Sequence, residues 1–282
     1  MMTGNELLRL RQLCRDRPDP FAAIEVGCWL GESSKVLLQE GAQHLIAIDL
    51  FRWQTSHQRK LPGLLNVGED FRALTVQNLR QWHQQITLIE ADSATLTSEQ
   101  LTSALPLLFG LIDGPKAADS YSATLQTVLK VMPRGAVLAI KHAVSPQFVA
   151  IFDVLAAHLA TGQLTVLETD KPAPNDSLLS FTVTADAPGG AAQPNALDLE
   201  EWIRLFDSQI HRQIDLTHSG QLLKILKLLK ANRVTDALAF AHSLPYSRPA
   251  TAAWMQIQTQ LHSQFAQHAT ALIQIEMALA EG

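Results

Sequence analysis

Two cysteines in 282 residues, Cys14 and Cys28, are too few for a disulfide framework and show no metal-ligand spacing. Charge of one sign is also scarce: 22 Lys and Arg against 27 Asp and Glu leave a net charge of −5. That balance lacks the basic footprint of a nucleic-acid partner, so no nucleic acid is expected. No apolar run approaches the length of a bilayer span, so no membrane is expected either. The first twenty residues lack the apolar core of a signal peptide, and a cytoplasmic address is the expectation. One further absence is more informative. A dinucleotide-binding turn needs a glycine two residues after its first, where backbone must approach a pyrophosphate. Trp29 occupies that place, which argues against a nicotinamide-dependent oxidoreductase.

What is present is organised around Phe21 to Leu50. The apolar run Phe21–Val26 suits a strand buried on both faces. Gly27 and Gly31 bracket a turn, Ser33–Glu40 has helical composition, and Gly41 closes it as a C-cap would. His44–Leu50 is a second strand-like run, interrupted at Asp49. A strand–helix–strand unit of this kind places its ligand crevice at the carboxyl ends of the strands, where Gly27 and Asp49 would both face it. An indole at position 29 argues against a pyrophosphate but not against a nucleoside without phosphates. Asp49 could still accept from two ribose hydroxyls.

The rest of the chain repeats the pattern. Ile86–Asp92, Leu107–Ile112 and Ala136–Ile140 are strand-like, separated by helical stretches at Glu69–His83, Thr97–Leu105 and Ala117–Met132. Asp is disfavoured inside strands, yet successive runs finish on Asp49, Asp92 and Asp113, which marks one edge of a sheet as a site. Ser145 and Pro146 can start a helix that continues over Phe148–Leu159. Leu164–Glu168 and Leu178–Val183 are joined by turn residues too short for a helical crossover, so they must be antiparallel. Phe51–Gly68 has no clear period and carries Arg52, His57, Arg59 and Lys60. It reads as a lid over the crevice.

The expected organisation is an N-terminal helix within residues 1–20, an α/β unit over 21–184, a small-residue linker over 185–196 and a helical region over 197–282. The helical pattern covers Leu197–Ile210, Gln221–Lys230, Val234–His242 and Ala252–Ala280. Lys230–Leu238, with Leu244-Pro245 beyond it, resembles one tetratricopeptide-like hairpin. A single copy has no neighbour to stack on. The helices therefore read as an appendage for a homodimer or a protein partner, with packing back onto the sheet as the alternative.

The pattern Glu25-x-Gly27-x-x-x-Gly31-x-Ser33 followed by Asp49 resembles the first two motifs of class I S-adenosylmethionine-dependent methyltransferases. Over Phe21–Thr184 the order of elements resembles their Rossmann-like seven-stranded sheet, five parallel strands and a terminal antiparallel hairpin. Leu111-Ile112-Asp113-Gly114-Pro115-Lys116, with Tyr121, resembles the fourth-strand motif of the catechol and caffeoyl-CoA O-methyltransferases and of the macrocin-type sugar O-methyltransferases. The resemblance implies S-adenosylmethionine as cofactor and a small-molecule or sugar hydroxyl as acceptor. Glu25, Gly27 and Gly31, with Cys28, Trp29 and Ser33 in the same turn, would surround its methionine part. Asp49 and Leu50 would take the ribose, and Asp92 with Ser93 the adenine. In those families the equivalent of Asp113 helps hold a divalent cation. Here Lys141-His142 stands where further oxygen ligands belong, and lysine repels hard cations. No metal is therefore assigned, Asp113 being its one ligand if there were any. Lys141 would supply the positive charge, and His142 or Lys116 would take the acceptor proton. A non-catalytic scaffold working through the C-terminal helices is the rival reading.

Overall fold

The computed structural model describes residues 2–167, 178–185, 197–211, 218–244, 265 and 269–280. Seven strands form one sheet in the order β3-β2-β1-β4-β5-β7-β6. They are β1 (Phe21–Val26), β2 (Ala42–Asp49), β3 (Ile86–Glu90), β4 (Leu107–Ile112), β5 (Val137–Ile140), β6 (Leu164–Val166) and β7 (Leu179–Val183). β1 to β5 pair in parallel, while β7 runs antiparallel to both β5 and β6. The expected seven-stranded Rossmann-like sheet with its terminal hairpin is the one observed. The turn expected between β6 and β7 lies largely outside the described residues.

Alternation along the strands sorts the core into two layers. On one face Phe21, Ala23, Ala47, Phe109 and Leu111 pack with α1 (Gly4–Arg15) and α2 (Glu32–Gln39). On the other Ala22, Ile24, Val26, Ile48 and Ile112 pack with α5 (Ala118–Val131) and α6 (Val149–Ala160). Thr3 caps α1 in a reciprocal capping box with Glu6. Leu10, Leu13 and Cys14 of α1 are buried in the first layer.

Several elements differ from expectation. The Phe51–Gly68 lid is not structureless. A short backbone ladder closes its base, with Trp53 N–H donating to Glu69 and Phe71 N–H to Phe51, and α3 (Thr55–Lys60) forms within it. The helix expected over Glu69–His83 divides into α4 (Arg72–Asn78) and a 3-10 turn at Arg80–Trp82. Thr97–Leu105 holds only a 3-10 turn, Ser98–Leu101. Pro146–Phe148 is likewise a 3-10 turn ahead of α6, without a side-chain cap from Ser145. β3 ends at Glu90, two residues before Asp92, because the Asp92 side chain turns to cap Ala94 N–H.

The helical region comprises α7 (Leu199–Leu205), extended by a π-helical turn at Phe206–His211, then α8 (His218–Lys230), α9 (Val234–Ser243) and α10 (Ala269–Ala280). Its buried residues belong to the same cluster as α5 and α6. Trp202 and Phe206 stack with centroids 5.2 Å apart, and Phe152 of α6 meets both edge-on. Asp153 of α6 accepts from the Trp202 indole at 2.9 Å and from Lys227 at 2.6 Å. Of the two placements open in the sequence, these helices adopt the one packed back onto the α/β layer. Residues 186–196 of the expected linker, Pro245 and most of the first half of the expected final helix lie outside the described residues.

Candidate functional site

The carboxyl ends of β1, β2 and β4 open into a cavity of about 570 Å³, a volume within the range of small-molecule sites. Val26 leads into Gly27, whose φ of +88° makes the turn. Gly27 N–H donates to the Ile48 carbonyl at 2.8 Å, tying the turn to β2. Trp29 follows with a left-handed φ of +45°, a costly conformation for a residue with a side chain. Asp49 holds it there: Oδ2 accepts the Trp29 N–H at 2.9 Å and Oδ1 accepts the Phe51 N–H at 3.0 Å. Thr75 adds a third anchor, donating to the Trp29 carbonyl at 2.7 Å. Gly31 starts α2 with a φ of +83° against Leu79.

Beneath the turn, Glu25 is fully buried and accepts hydrogen bonds from Ser33 and Ser34 of α2. Burial pushes its pKa up to about 7 against the pull of the two serines, and the charges of Asp49 and Asp113 push the same way. Burial also raises Asp49, opposed by the Trp29, Phe51 and Leu50 amides. Cys28 lines the cavity as a thiol, since burial holds its pKa well above the usual value.

The lid forms one wall. Trp29 stacks on His57 at 5.4 Å and lies 6.3 Å from Trp53, and Lys60 Nζ sits 5.5 Å over the Trp29 ring. His57 and Lys60 line the cavity. Arg52 pairs outward with Glu90 at 3.4 Å, and Arg59 is not among the lining residues.

The opposite wall carries the basic groups. Lys116 Nζ donates to Asp113 Oδ1 at 3.0 Å, and His142 Nε2 lies 3.6 Å from the same oxygen. Burial alone would raise Asp113, but Lys116, His142 and Lys141 together hold it below the usual carboxylate range. Burial, with the charge of Lys116 and then of Lys141, depresses His142 to about 3 against the pull of Asp113. Burial also lowers Lys116, opposed by Asp113 and assisted by Lys141 and Lys60. Lys141 follows β5 directly and is ion-paired with Glu6 of α1.

Of the residues singled out in the sequence, Gly27, Cys28, Trp29, Ser33, Asp49, Leu50, Asp92, Ser93, Asp113, Lys116, Lys141 and His142 line this one cavity. Glu25 and Gly31 stand behind its wall. Tyr121 is buried in the core and does not line it. Gln54 and Ser56 belong to the expected lid and also line the cavity, whereas sequence reasoning missed Met2, Gln147 and Phe148 as lining residues, and it missed Glu6. None belongs to a motif; only the fold brings them here.

No protein-family description matches the sequence, and no curated protein does. Solved structures do match. A candidate O-methyltransferase from Klebsiella pneumoniae aligns at 16% identity over 66% of this chain and 82% of its own, with a TM-score of 0.50. The N-methyltransferase NodS from Bradyrhizobium japonicum, in complex with S-adenosyl-L-homocysteine, aligns at 13% identity over 64% and 86%, with a TM-score of 0.45. An rRNA methylase from Streptococcus thermophilus aligns at 12% identity over 66% and 99%, with a TM-score of 0.44. The fold is that of the class I S-adenosylmethionine-dependent methyltransferases. The net charge of −5 does not by itself exclude nucleic acid as a partner. Among the described residues no helix is long and apolar enough to cross a membrane.

The residues present fit a phosphate-free nucleoside. Gly27 and Asp49 both line the cavity, and the Trp29 and Phe51 amides take two of the roughly four lone-pair sites of Asp49. A divalent metal does not fit. Asp113 is already engaged by Lys116 with His142 beside it, and Lys141 brings an ammonium to the same end of the sheet. Among the described residues no group of three or more His, Cys, Asp and Glu side chains is arranged to hold a metal ion.

Proposed function

We propose that this protein is an S-adenosylmethionine-dependent methyltransferase acting on a hydroxyl of a small molecule or sugar. One observation carries the reading: Asp49 both anchors the Gly27–Gly31 turn and borders a cavity whose opposite wall holds the Asp113–Lys116 pair. The bound cofactor would supply an electrophilic methyl group on a sulfonium. Asp49, with Leu50 beside it, would hold the ribose hydroxyls, Asp92 and Ser93 would meet the adenine edge, and the Gly27–Gly31 turn would receive the methionine part. Glu25 acts from behind, through Ser33, by fixing the start of α2.

On the acceptor side, His142 is uncharged at working pH, and its ring can accept a hydrogen bond from the acceptor hydroxyl and orient it. With a pKa near 3 it is a weak base. Lys116 is the second candidate base: burial lowers its pKa, opposed by the charge of Asp113. Asp113 fixes the Lys116 amine at 3.0 Å. Alignment of hydroxyl and methyl in line is the main contribution asked of these residues. Trp29, His57 and the lid would exclude water from that line.

The test is calorimetric titration with S-adenosylhomocysteine. Wild type is expected to bind, and Asp49→Ala to lose about tenfold or more in affinity, the scale of a hydrogen bond to a charged group. Lys116→Met should retain that affinity while losing methyl transfer in an acceptor screen. Wild-type protein that does not bind S-adenosylhomocysteine would reject the reading.

A further inference from the structure

The Glu6–Lys141 pair is the feature that the proposed function leaves unexplained. Glu6 is 0% exposed and Lys141 6%, and they lie 135 residues apart in the chain. Removing two charges from water costs several kcal/mol for each ion, and a buried pair often returns no net stability. Core packing does not require such a pair, so its location matters. Lys141 N–H donates to the Ile112 carbonyl at 3.0 Å, which places Lys141 beside Asp113 at the end of the neighbouring strand. Its ammonium contributes to lowering both Asp113 and Lys116.

Glu6 is held firmly from its own side. It occupies the third position of α1, where Oε2 accepts the Thr3 N–H at 2.8 Å as well as the Lys141 ammonium. Further along the helix, Arg9 donates to the Leu178 carbonyl at 2.8 Å, and Arg15 pairs with Glu40 at the end of α2. Met2, just ahead of the helix, lines the cavity. Two lysines and two carboxylates therefore meet at this end of the sheet, divided as Glu6 with Lys141 and Asp113 with Lys116. His142 faces both lysines and Asp113, and Lys60 faces Lys116 from the lid.

We propose that Lys141, held by Glu6, takes the place that a divalent cation would occupy beside Asp113, so that α1 completes the site and methyl transfer proceeds without a metal. Glu6 is the positioning residue: it fixes the Lys141 ammonium at the end of β5, near enough to act on Asp113, while Asp113 itself accepts from Lys116. The inference rests on the methyltransferase reading, because the place in question is the one where related O-methyltransferase motifs supply oxygen ligands. A hard cation needs several such oxygens. Here it would meet an ammonium and a carboxylate already in use.

Manganese is the probe, followed by electron paramagnetic resonance with S-adenosylhomocysteine present. Wild type is expected to leave the free-ion signal undiminished. Lys141→Asp brings a carboxylate to Glu6 and Asp113, and it is expected to bind one equivalent of manganese and to melt higher in its presence. Adding Glu6→Gln to that variant should abolish the gain, an effect that a purely structural role for Glu6 would not produce. One equivalent bound by wild type and lost in Asp113→Asn would overturn the proposal. So would a folded Lys141→Asp variant that gains no binding. If that variant does not fold, the wild-type titration decides alone. Binding of S-adenosylhomocysteine in the same samples separates the two readings: its absence counts against the methyltransferase, whereas the manganese result tests the charge arrangement.

Discussion

A Cβ added to Gly27 would stand 2.5 Å from the carbonyl oxygen of Asp113. The first glycine of the β1 turn and the acid that follows β4 are thus packed backbone to backbone, and each fixes the position of the other. Gly27 also has a φ of +88°, so a side chain meets strain and collision together. Gly27→Ala should cost about 2–4 kcal/mol of stability. It should also push Asp113 away from Lys116. Thermal melting and S-adenosylhomocysteine titration would measure the two effects, and an unperturbed melt would show that the turn is not the constraint described here.

Glu25 makes stability depend on pH in a definite direction. Its pKa stands at about 7 in the folded protein, above the ordinary value of 4.5. Below pH 4.5 the carboxyl is protonated in both states and carries no penalty. Between 4.5 and 7 the unfolded chain releases the proton while the folded chain keeps it, so folding loses ground as pH rises. The loss levels off above 7 at an order of 3 kcal/mol. Denaturant titrations of wild type and Glu25→Gln across this window should diverge by that amount, with Glu25→Gln favoured at the alkaline end.

His142 behaves in the opposite sense. Its folded-state pKa of about 3 lies below the ordinary 6.5. Its contribution to stability is complete above pH 6.5 and is lost as pH falls toward 3, where the unfolded chain binds the extra proton. The ring protons of His142 should therefore show no titration in NMR spectra between pH 7.5 and 5. A midpoint near 6.5 would mean that burial and the neighbouring lysines do not act as described.

Asp153 joins three helices, accepting from Trp202 of α7 and Lys227 of α8 while standing on α6. Asp153→Ala leaves a buried indole N–H and an ammonium without this acceptor. A loss of about 1–3 kcal/mol is expected. Affinity for S-adenosylhomocysteine should be unchanged, because none of the three residues lines the cavity. A melt and a titration on the same preparation would separate the stability of the helical region from the integrity of the site.

Much of the site was legible in local pattern. β1 and β4 were placed to the residue, and the glycine turn, Asp49 and the Asp113–Lys116 spacing all stand at one sheet edge. Each of these signals acts within a few residues: apolar runs form parallel strands, glycine supplies positive φ, and acids collect just past strand ends. Asp92 shows the limit of that rule. It ends an apolar run in the sequence, yet its side chain caps the following turn, and the strand stops at Glu90. The lid shows another limit, since its order comes from a ladder between Phe51–Trp53 and Glu69–Phe71 that no periodicity announces.

By itself, then, the sequence determined the order of the strands, the glycine turn and the acids along one edge, because short-range backbone preference decides these. The tertiary structure alone decided which charges neutralise one another. It joined Glu6 to Lys141 and Asp153 to Lys227, brought His142 beside Asp113, and laid the C-terminal helices over α6. Those outcomes depend on which surfaces meet after the sheet has formed, and the energy of a charge depends on the water removed and the partner found there.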